Sequence, residues 1–308
     1  MKNIKTIIFI VVIFFISRYI INNLETLKSL FEIKSYLLLF NSFFIIITTF
    51  FVQVSVYKEI FGLNNVSLKF FQALRIYSTA VMTAYIPGKL PGVYLTAKYA
   101  KNLNKKEKNS FISIVIYQLL SLVSCAFVGS IFVIFLLELN SIFLKLFLSF
   151  FIILATILLV NPRNYSFIKT FLKKIFGKEI KYKIEGTHLD NIKILCKLSL
   201  SWIFITFSIS LLNSSITGYW IFGEYLAFTA VFLFSQILGS IVFILPSGLG
   251  VFESAMYYGV QTFISIDDAI RLSAISRIFM LIPAFIVFFT DFLLITFLKR
   301  NSQNNINI

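Results

Sequence analysis

The chain has 308 residues, of which 58% are hydrophobic and 13% are charged, and its formal net charge is +15. Soluble globular domains have about 25% charged residues, so this chain has too few polar side chains to cover a water-facing surface. Its apolar residues also form long blocks, whereas about 20 consecutive apolar residues suffice for a helix to cross a bilayer. The composition indicates a polytopic integral membrane protein and excludes a soluble enzyme.

Six apolar blocks are long enough to be transmembrane helices: Ile4–Ile21, Tyr36–Val56, Phe111–Leu137, Ile142–Val160, Leu198–Ile216 and Leu272–Leu298. Two further apolar segments, Phe70–Ala97 and Tyr225–Ser265, are interrupted by helix-breaking residues. The breaks contain Pro87, Gly88, Lys89, Pro91 and Gly92 in the first segment and Pro246, Gly248 and Gly250 in the second. We predict an all-α membrane protein with six transmembrane helices and two broken hairpins, which either turn back midway or cross as two short paired helices.

Lysine and arginine are concentrated in the N-terminus, Lys58–Lys108, Asn161–Lys197 and the C-terminus. Because cytoplasmic loops are enriched in these residues, both termini are predicted to be cytoplasmic in a multi-pass plasma (inner) membrane protein. No basic stripe is interleaved with aromatic residues, so nucleic acid is not an expected partner. Within the basic loop, Tyr165–Phe176 has the pattern of a helix that either lies on the inner leaflet or caps the bundle in solvent.

The two breaks match each other in sequence when Pro91 is treated as an insertion. The first follows two predicted spans and starts from inside, whereas the second follows two spans and starts from outside. This order is typical of an inverted-topology repeat, although two unrelated kinks would also produce two breaks. We therefore predict one transmembrane domain over residues 1–308, with halves 1–137 and 138–308 and a cytoplasmic basic loop at 161–197.

Three charged residues near the breaks are candidates for binding a substrate: Lys89, Glu253 and Arg277. Helix N-termini favour anions, and ionisable groups inside a membrane are often functional, so Lys89 and Arg277 suit a phosphate on a lipid headgroup. Lys89 could instead extend to the cytoplasmic interface. Glu253 either stabilises the N-terminus of the helix after the second break or pairs with Arg277.

The sequence resembles the lysylphosphatidylglycerol synthase transmembrane family, also called the flippase-like domain family. The residues that carry the resemblance are Pro87-Gly88-Lys89, the run Pro246–Glu253 and the downstream Arg277. Many members have Gly-Glu after the first basic residue and an arginine before the second glutamate, where this chain has Pro91-Gly92-Val93 and Phe252. The resemblance implies a domain that moves lipids or lipid-linked molecules between leaflets. In the two-domain synthases a separate soluble domain transfers the aminoacyl group, and we expect this chain to lack that domain.

The leading hypothesis is a translocator of a phospholipid or lipid-linked molecule, with membrane lipids as its partners. The alternative is a non-transporting partner of a lipid-modifying enzyme or glycosyltransferase, docked on the basic loop. An intramembrane enzyme is the third possibility, but the sequence contains no Ser/His/Asp set, no His or Cys metal cluster and no P-loop. We therefore predict no catalytic residue, no metal site and no cofactor.

Overall fold

The computed structural model describes residue 18 and residues 33–86, 90–103, 105–136, 188–218, 222–242, 245–262 and 264–304. In these ranges the secondary structure is helical, without a strand. The elements are α1 (Tyr36–Leu63), α2 (Phe70–Thr83), α3 (Leu90–Asn102), α4 (Glu107–Leu136), α5 (His188–Thr217), α6 (Phe222–Ile241), a 3-10 turn (Pro246–Gly248), α7 (Val251–Val260) and α8 (Ile266–Asn304). Apart from residue 18, the predicted spans Ile4–Ile21 and Ile142–Val160 and the segment Tyr165–Phe176 lie outside the described residues.

Four of the described helices, α1, α4, α5 and α8, are long and apolar enough to cross a membrane. They coincide with four of the predicted spans but extend beyond them. α5, for example, begins at His188 and has Asp190 in its first turn, where a carboxylate is favourable. Hydropathy marks only the part of a helix that suits hydrocarbon, and the helix itself continues into more polar surroundings. The chain is a multi-pass membrane protein.

Helices α1 and α5 are antiparallel and pack against each other along their length. At one end, the Ser35 N–H donates to the Ser215 carbonyl oxygen at 3.1 Å. At the other end, the Lys197 ammonium pairs with the Glu59 carboxylate at 2.5 Å. The start of each helix therefore lies beside the end of the other.

Two serines allow α1 and α5 to approach closely in the middle of their contact. The Ser42 hydroxyl donates to the Ser208 carbonyl oxygen at 2.6 Å, and the Ser208 hydroxyl donates to the Ser42 carbonyl oxygen at 2.7 Å. Both side chains are fully buried. Small residues and interhelical hydrogen bonds replace the hydrophobic driving force that helices lack in lipid, so this seam is a rigid centre for the fold.

The first interrupted segment forms a helical hairpin of α2 and α3. The hydroxyl oxygens of Thr83, at the end of α2, and Thr96, in α3, are 2.8 Å apart. Gly92 lies against the backbone of Thr83 so closely that a Cβ atom there would overlap the Thr83 carbonyl oxygen. Pro91 is in the first turn of α3, where a missing N–H is tolerated.

The second interrupted segment forms a corresponding hairpin of α6 and α7. Gly239, near the end of α6, lies against Phe252 at the start of α7, and Gly259 near the end of α7 packs against Val231 in α6. The two helices therefore run antiparallel. Both predicted interruptions are present in the structure, and α2 packs against α8 while α6 packs against α4.

The turn of the second hairpin depends on two glycines with positive φ. At Gly248, φ is +69° and a Cβ would overlap the backbone of Gly239, whereas at Gly250, φ is +84° and the space around a Cβ is open. We expect Gly250→Ala to destabilise the protein by about 1 kcal/mol through its backbone conformation. Gly248→Ala should destabilise the protein by about 1–3 kcal/mol more than Gly250→Ala. Its Cβ would also force the backbone at Gly248 away from Gly239.

Thermal unfolding of the purified protein in detergent measures both effects. Gly62→Ala in α1 is the matched control, because its Cβ meets no atom within 4 Å and alanine favours a helix. Equal midpoints for Gly248→Ala and Gly250→Ala would contradict the close approach at Gly248.

Candidate functional site

The tips of the two hairpins meet. The backbone N–H of Ser247, in the second break, donates to the carbonyl oxygen of Ala84, the residue after α2, at 2.9 Å. Ser247 has a left-handed conformation with φ 48° and ψ 21°, which is uncommon for a residue with a side chain. Such strain persists only where the surrounding contacts impose it. Pro87, Gly88 and Lys89 lie outside the described residues.

Arg277, on α8, binds the second break from the side. Its Nη1 donates to the Ser247 carbonyl oxygen at 2.9 Å, and its Nε lies 2.7 Å from Glu253 Oε1. The guanidinium carbon is also 4.7 Å from the centre of the Phe252 ring, a cation–π arrangement. Arg277 is only 7% exposed, so these contacts compensate for the burial of its charge.

Glu253 fulfils both roles that the sequence left open for it. While Oε1 pairs with Arg277, Oε2 accepts a hydrogen bond of 2.7 Å from the backbone N–H of Gly250, at the N-terminus of α7. A carboxylate at a helix N-terminus interacts favourably with the helix dipole. The protein's own carboxylate thus occupies the anion-binding position at this helix end and neutralises Arg277. The expected attraction of Arg277 and this N-terminus for a phosphate is satisfied internally.

Tyr85 is a site residue that the sequence did not identify. It is 5% exposed, directly follows Ala84, and interacts with Ser247, Arg277 and Glu253. The signal available was an aromatic residue with a hydroxyl immediately before a break. Tyr85 therefore adds a side-chain contact to the backbone hydrogen bond that joins the two tips.

A cavity of about 230 Å³ lies beside the joined tips, lined mainly by α1, α2, α4 and α8 and also by residues of α5, α6 and α7. Ser247 and Arg277 form part of its wall. The rest of the lining is largely apolar but includes the polar side chains of Gln53, Tyr57, Tyr77, Tyr117, Gln118 and Gln236. None of these six was singled out from the sequence, because tyrosine and glutamine within an apolar span do not reveal which side they face.

A second ionic cluster attaches the first hairpin to α8. Arg75 Nε lies 3.0 Å from Asp291 Oδ1, and the Tyr99 hydroxyl donates to Asp291 Oδ2 at 2.6 Å. Asp291 is 4% exposed. Arg75 on α2 and Asp291 on α8 thus form an ion pair between the two helices. This cluster joins α2, α3 and α8.

Removing one member of the Arg277–Glu253 pair should be more harmful than removing both. Arg277→Met leaves a buried carboxylate without its partner, which typically costs about 3–5 kcal/mol. In the double variant Arg277→Met/Glu253→Gln no charge is left unpaired, so we expect thermal stability in detergent to recover by at least half of the loss. A double variant less stable than the single one would contradict this account of the pair.

The chain is similar to a known protein family. The family profile described as "Lysylphosphatidylglycerol synthase TM region" matches residues 4–287. No curated protein and no solved structure matches the chain. The matched range contains both hairpins, Glu253 and Arg277, and covers most of the sequence. The chain belongs to the lysylphosphatidylglycerol synthase transmembrane family.

Proposed function

We propose that the protein translocates a phospholipid or lipid-linked molecule between the leaflets of the plasma membrane. The observation that carries this proposal is the contact between the hairpin tips, Ser247 with Ala84, beside a cavity whose lining includes several polar side chains. Interrupted helices in a membrane are tolerated where they line a cavity or are covered by protein, and transporters use them to form substrate sites. The headgroup would enter the cavity while the acyl chains stay in the bilayer.

The two hairpins belong, in this proposal, to an inverted repeat in which α1–α4 correspond to α5–α8. Support comes from the packing of the helices. The contact between α2 and α8 in one half corresponds to the contact between α6 and α4 in the other. In the same way, the contact between α1 and α2 corresponds to that between α5 and α6. The contact between α3 and α4 corresponds to that between α7 and α8. The equivalent helices α1 and α5 are antiparallel, as an inverted relation requires.

The sequence supports the same correspondence. Three pairs of equivalent residues share one sequence separation: Pro87 with Pro246, Ser42 with Ser201, and Thr49 with Ser208. The four hydroxyl residues in these pairs are all buried. Two unrelated kinks do not explain why small buried residues recur at the spacing of the prolines. With the predicted spans Ile4–Ile21 and Ile142–Val160, the proposed topology has six transmembrane helices, two re-entrant hairpins and cytoplasmic termini.

The size of the cavity limits what it can enclose. Pockets that bury a drug-sized ligand are about 300–1,000 Å³, so a cavity of about 230 Å³ suits a small group rather than a whole lipid. Gln118, one of its lining residues, is exposed. The cavity therefore has an opening through which a headgroup would enter while remaining attached to its acyl chains.

Locking the hairpin tips together tests the proposal. In a background lacking Cys125 and Cys196, Ala84→Cys/Ser247→Cys would be joined by a short reducible thiol crosslinker in proteoliposomes containing fluorescent lipids. We expect crosslinking to reduce transport at least tenfold and a reductant to restore it, because opening the cavity to either leaflet requires the tips to separate. Accessibility of the fluorophore to an impermeant quencher measures transport.

Ser42→Cys/Ser208→Cys is the matched control, since it joins α1 to α5 in the seam that should stay closed during transport. It should crosslink without loss of activity. Transport of phospholipids and lipid-linked glycans no faster than in empty vesicles would overturn the proposal. The alternative, a partner of a lipid-modifying enzyme or glycosyltransferase, would be favoured if deletion of 165–183 abolished activity while the 246–253 segment proved dispensable.

A further inference from the structure

The described residues that line the cavity beside the hairpin tips contribute almost no net charge to it. Of the described residues that line it, Arg277 alone has a charged side chain. The Arg277 guanidinium pairs with Glu253 at 2.7 Å, and its Nη1 donates to the Ser247 carbonyl oxygen. The face of the guanidinium is covered by the Phe252 ring. A free anion would have to compete with Glu253, and a free cation would meet Arg277. The described part of the lining therefore favours neither an anionic nor a cationic group.

A chain of hydroxyl and amide groups from α1, α2 and α4 forms one wall of the cavity. The Tyr77 hydroxyl donates to Gln53 Oε1 at 2.6 Å, and the Tyr117 hydroxyl donates to the Tyr77 oxygen at 3.3 Å. The ring of Tyr57 lies edge-on to those of Tyr77 and Tyr117, with centroids 5.3 Å and 5.0 Å away. The side chains of this wall can each donate and accept hydrogen bonds, as hydroxyl groups of a ligand also do.

One member of this wall has an unused hydrogen-bonding group. The Tyr57 side chain is fully buried, and its hydroxyl has no hydrogen-bond partner within the described part of the chain. Buried polar groups are nearly always paired, and each exception calls for a reason. A ligand hydroxyl that reached Tyr57 by a small displacement of the wall would supply the missing partner.

Two further amides and an indole also line the cavity, together with apolar side chains. Gln118 and Gln236 line it from α4 and α6, and each amide offers two donors and an acceptor. The Trp202 ring is also part of the lining, and its Nε1 is already bonded to the Ser121 carbonyl oxygen at 3.0 Å. The indole therefore offers the cavity its apolar ring and not its donor.

We propose that this cavity binds an uncharged group bearing several hydroxyls, such as the glycerol or sugar portion of a lipid headgroup, through Tyr57, Gln118 and Gln236. The inference rests on the proposed function for the access of a lipid to the cavity, but it concerns binding and not movement. It assigns the recognition of the headgroup to the neutral tyrosine and glutamine wall. Arg277 and Glu253 then hold the hairpin tip and do not select the ligand.

Binding can be measured separately from transport with Trp202 as a fluorescent reporter. The chain contains two tryptophans, so Trp220→Phe leaves Trp202 as the sole reporter in protein held in detergent micelles. Three lipids with matched acyl chains serve as probes: phosphatidic acid, which has phosphate alone, phosphatidylglycerol, which adds glycerol, and glucosyl diacylglycerol, which has a sugar and no phosphate. We expect saturable changes with phosphatidylglycerol, glucosyl diacylglycerol or both, at least tenfold tighter than with phosphatidic acid.

If phosphatidylglycerol binds more tightly, the recognised group is glycerol, and if glucosyl diacylglycerol binds more tightly, it is a sugar. Either result supports the inference. Tyr57→Phe and Gln236→Met should each weaken that binding at least fivefold. Tyr225→Phe is the matched control, because it removes a buried hydroxyl from a tyrosine that does not line the cavity. Each variant's thermal midpoint would be measured so that a fall in affinity is not confused with unfolding.

Phosphatidic acid binding as tightly as phosphatidylglycerol would overturn the inference, since phosphate would then be the recognised group. So would the absence of binding by all three lipids, or unchanged binding in both Tyr57→Phe and Gln236→Met. If hydroxyl-bearing lipids bind but are not transported, the proposed function fails and this inference stands. If lipids are transported but their binding does not depend on the hydroxyl groups, this inference fails and the proposed function stands.

Discussion

A broken helix in an apolar environment must find partners for the backbone groups that the break releases, and this requirement organises the centre of the protein. At the second break the Ser247 N–H is taken by the Ala84 carbonyl oxygen, the Ser247 carbonyl by Arg277, and the Gly250 N–H by Glu253. Each partner comes from a different element. The break is therefore stable only when both hairpins and α8 are assembled, which explains why a segment rich in proline and glycine can lie inside the bundle.

The same contacts determine the electrostatic character of the adjoining cavity. Arg277 and Glu253 neutralise each other in stabilising the break, so neither charge remains available for a ligand. Arg75 and Asp291 are also paired, at the junction of the first hairpin with α8. These two ion pairs join helices to one another. The cavity lining that the described residues form is mostly apolar, and its uncharged polar groups are chiefly hydroxyls and amides. Net positive charge of the whole chain says nothing about the charge of this site.

The sequence was sufficient to predict the described helices and the turn between α6 and α7, but not the contacts between helices. Hydropathy located the four long helices, and the Pro246 and Gly250 region located the second turn, because both signals are local. A charge inside an apolar span was enough to single out Arg277 and, after the break, Glu253. The contact of Ala84 with Ser247 joins residues far apart in the chain, and no local pattern marks it. Likewise, whether a tyrosine in a span faces a cavity or lipid depends on the neighbouring helices, which explains why the polar wall was missed.

The arrangement of α8 shows how such an assembly can be both stable and movable. α8 holds the tip of the second hairpin through Arg277 and the first hairpin through Asp291, and Pro283 lies between these two points. Proline removes one backbone hydrogen bond from a helix and is a common site of bending. A bend there would let each end of α8 follow its own hairpin with both ion pairs intact. In the proposed transport cycle, the hydrogen bond between Ser247 and Ala84, with a net contribution of about 0.5–1.5 kcal/mol, then opens at far lower cost than the largely buried Arg277–Glu253 pair.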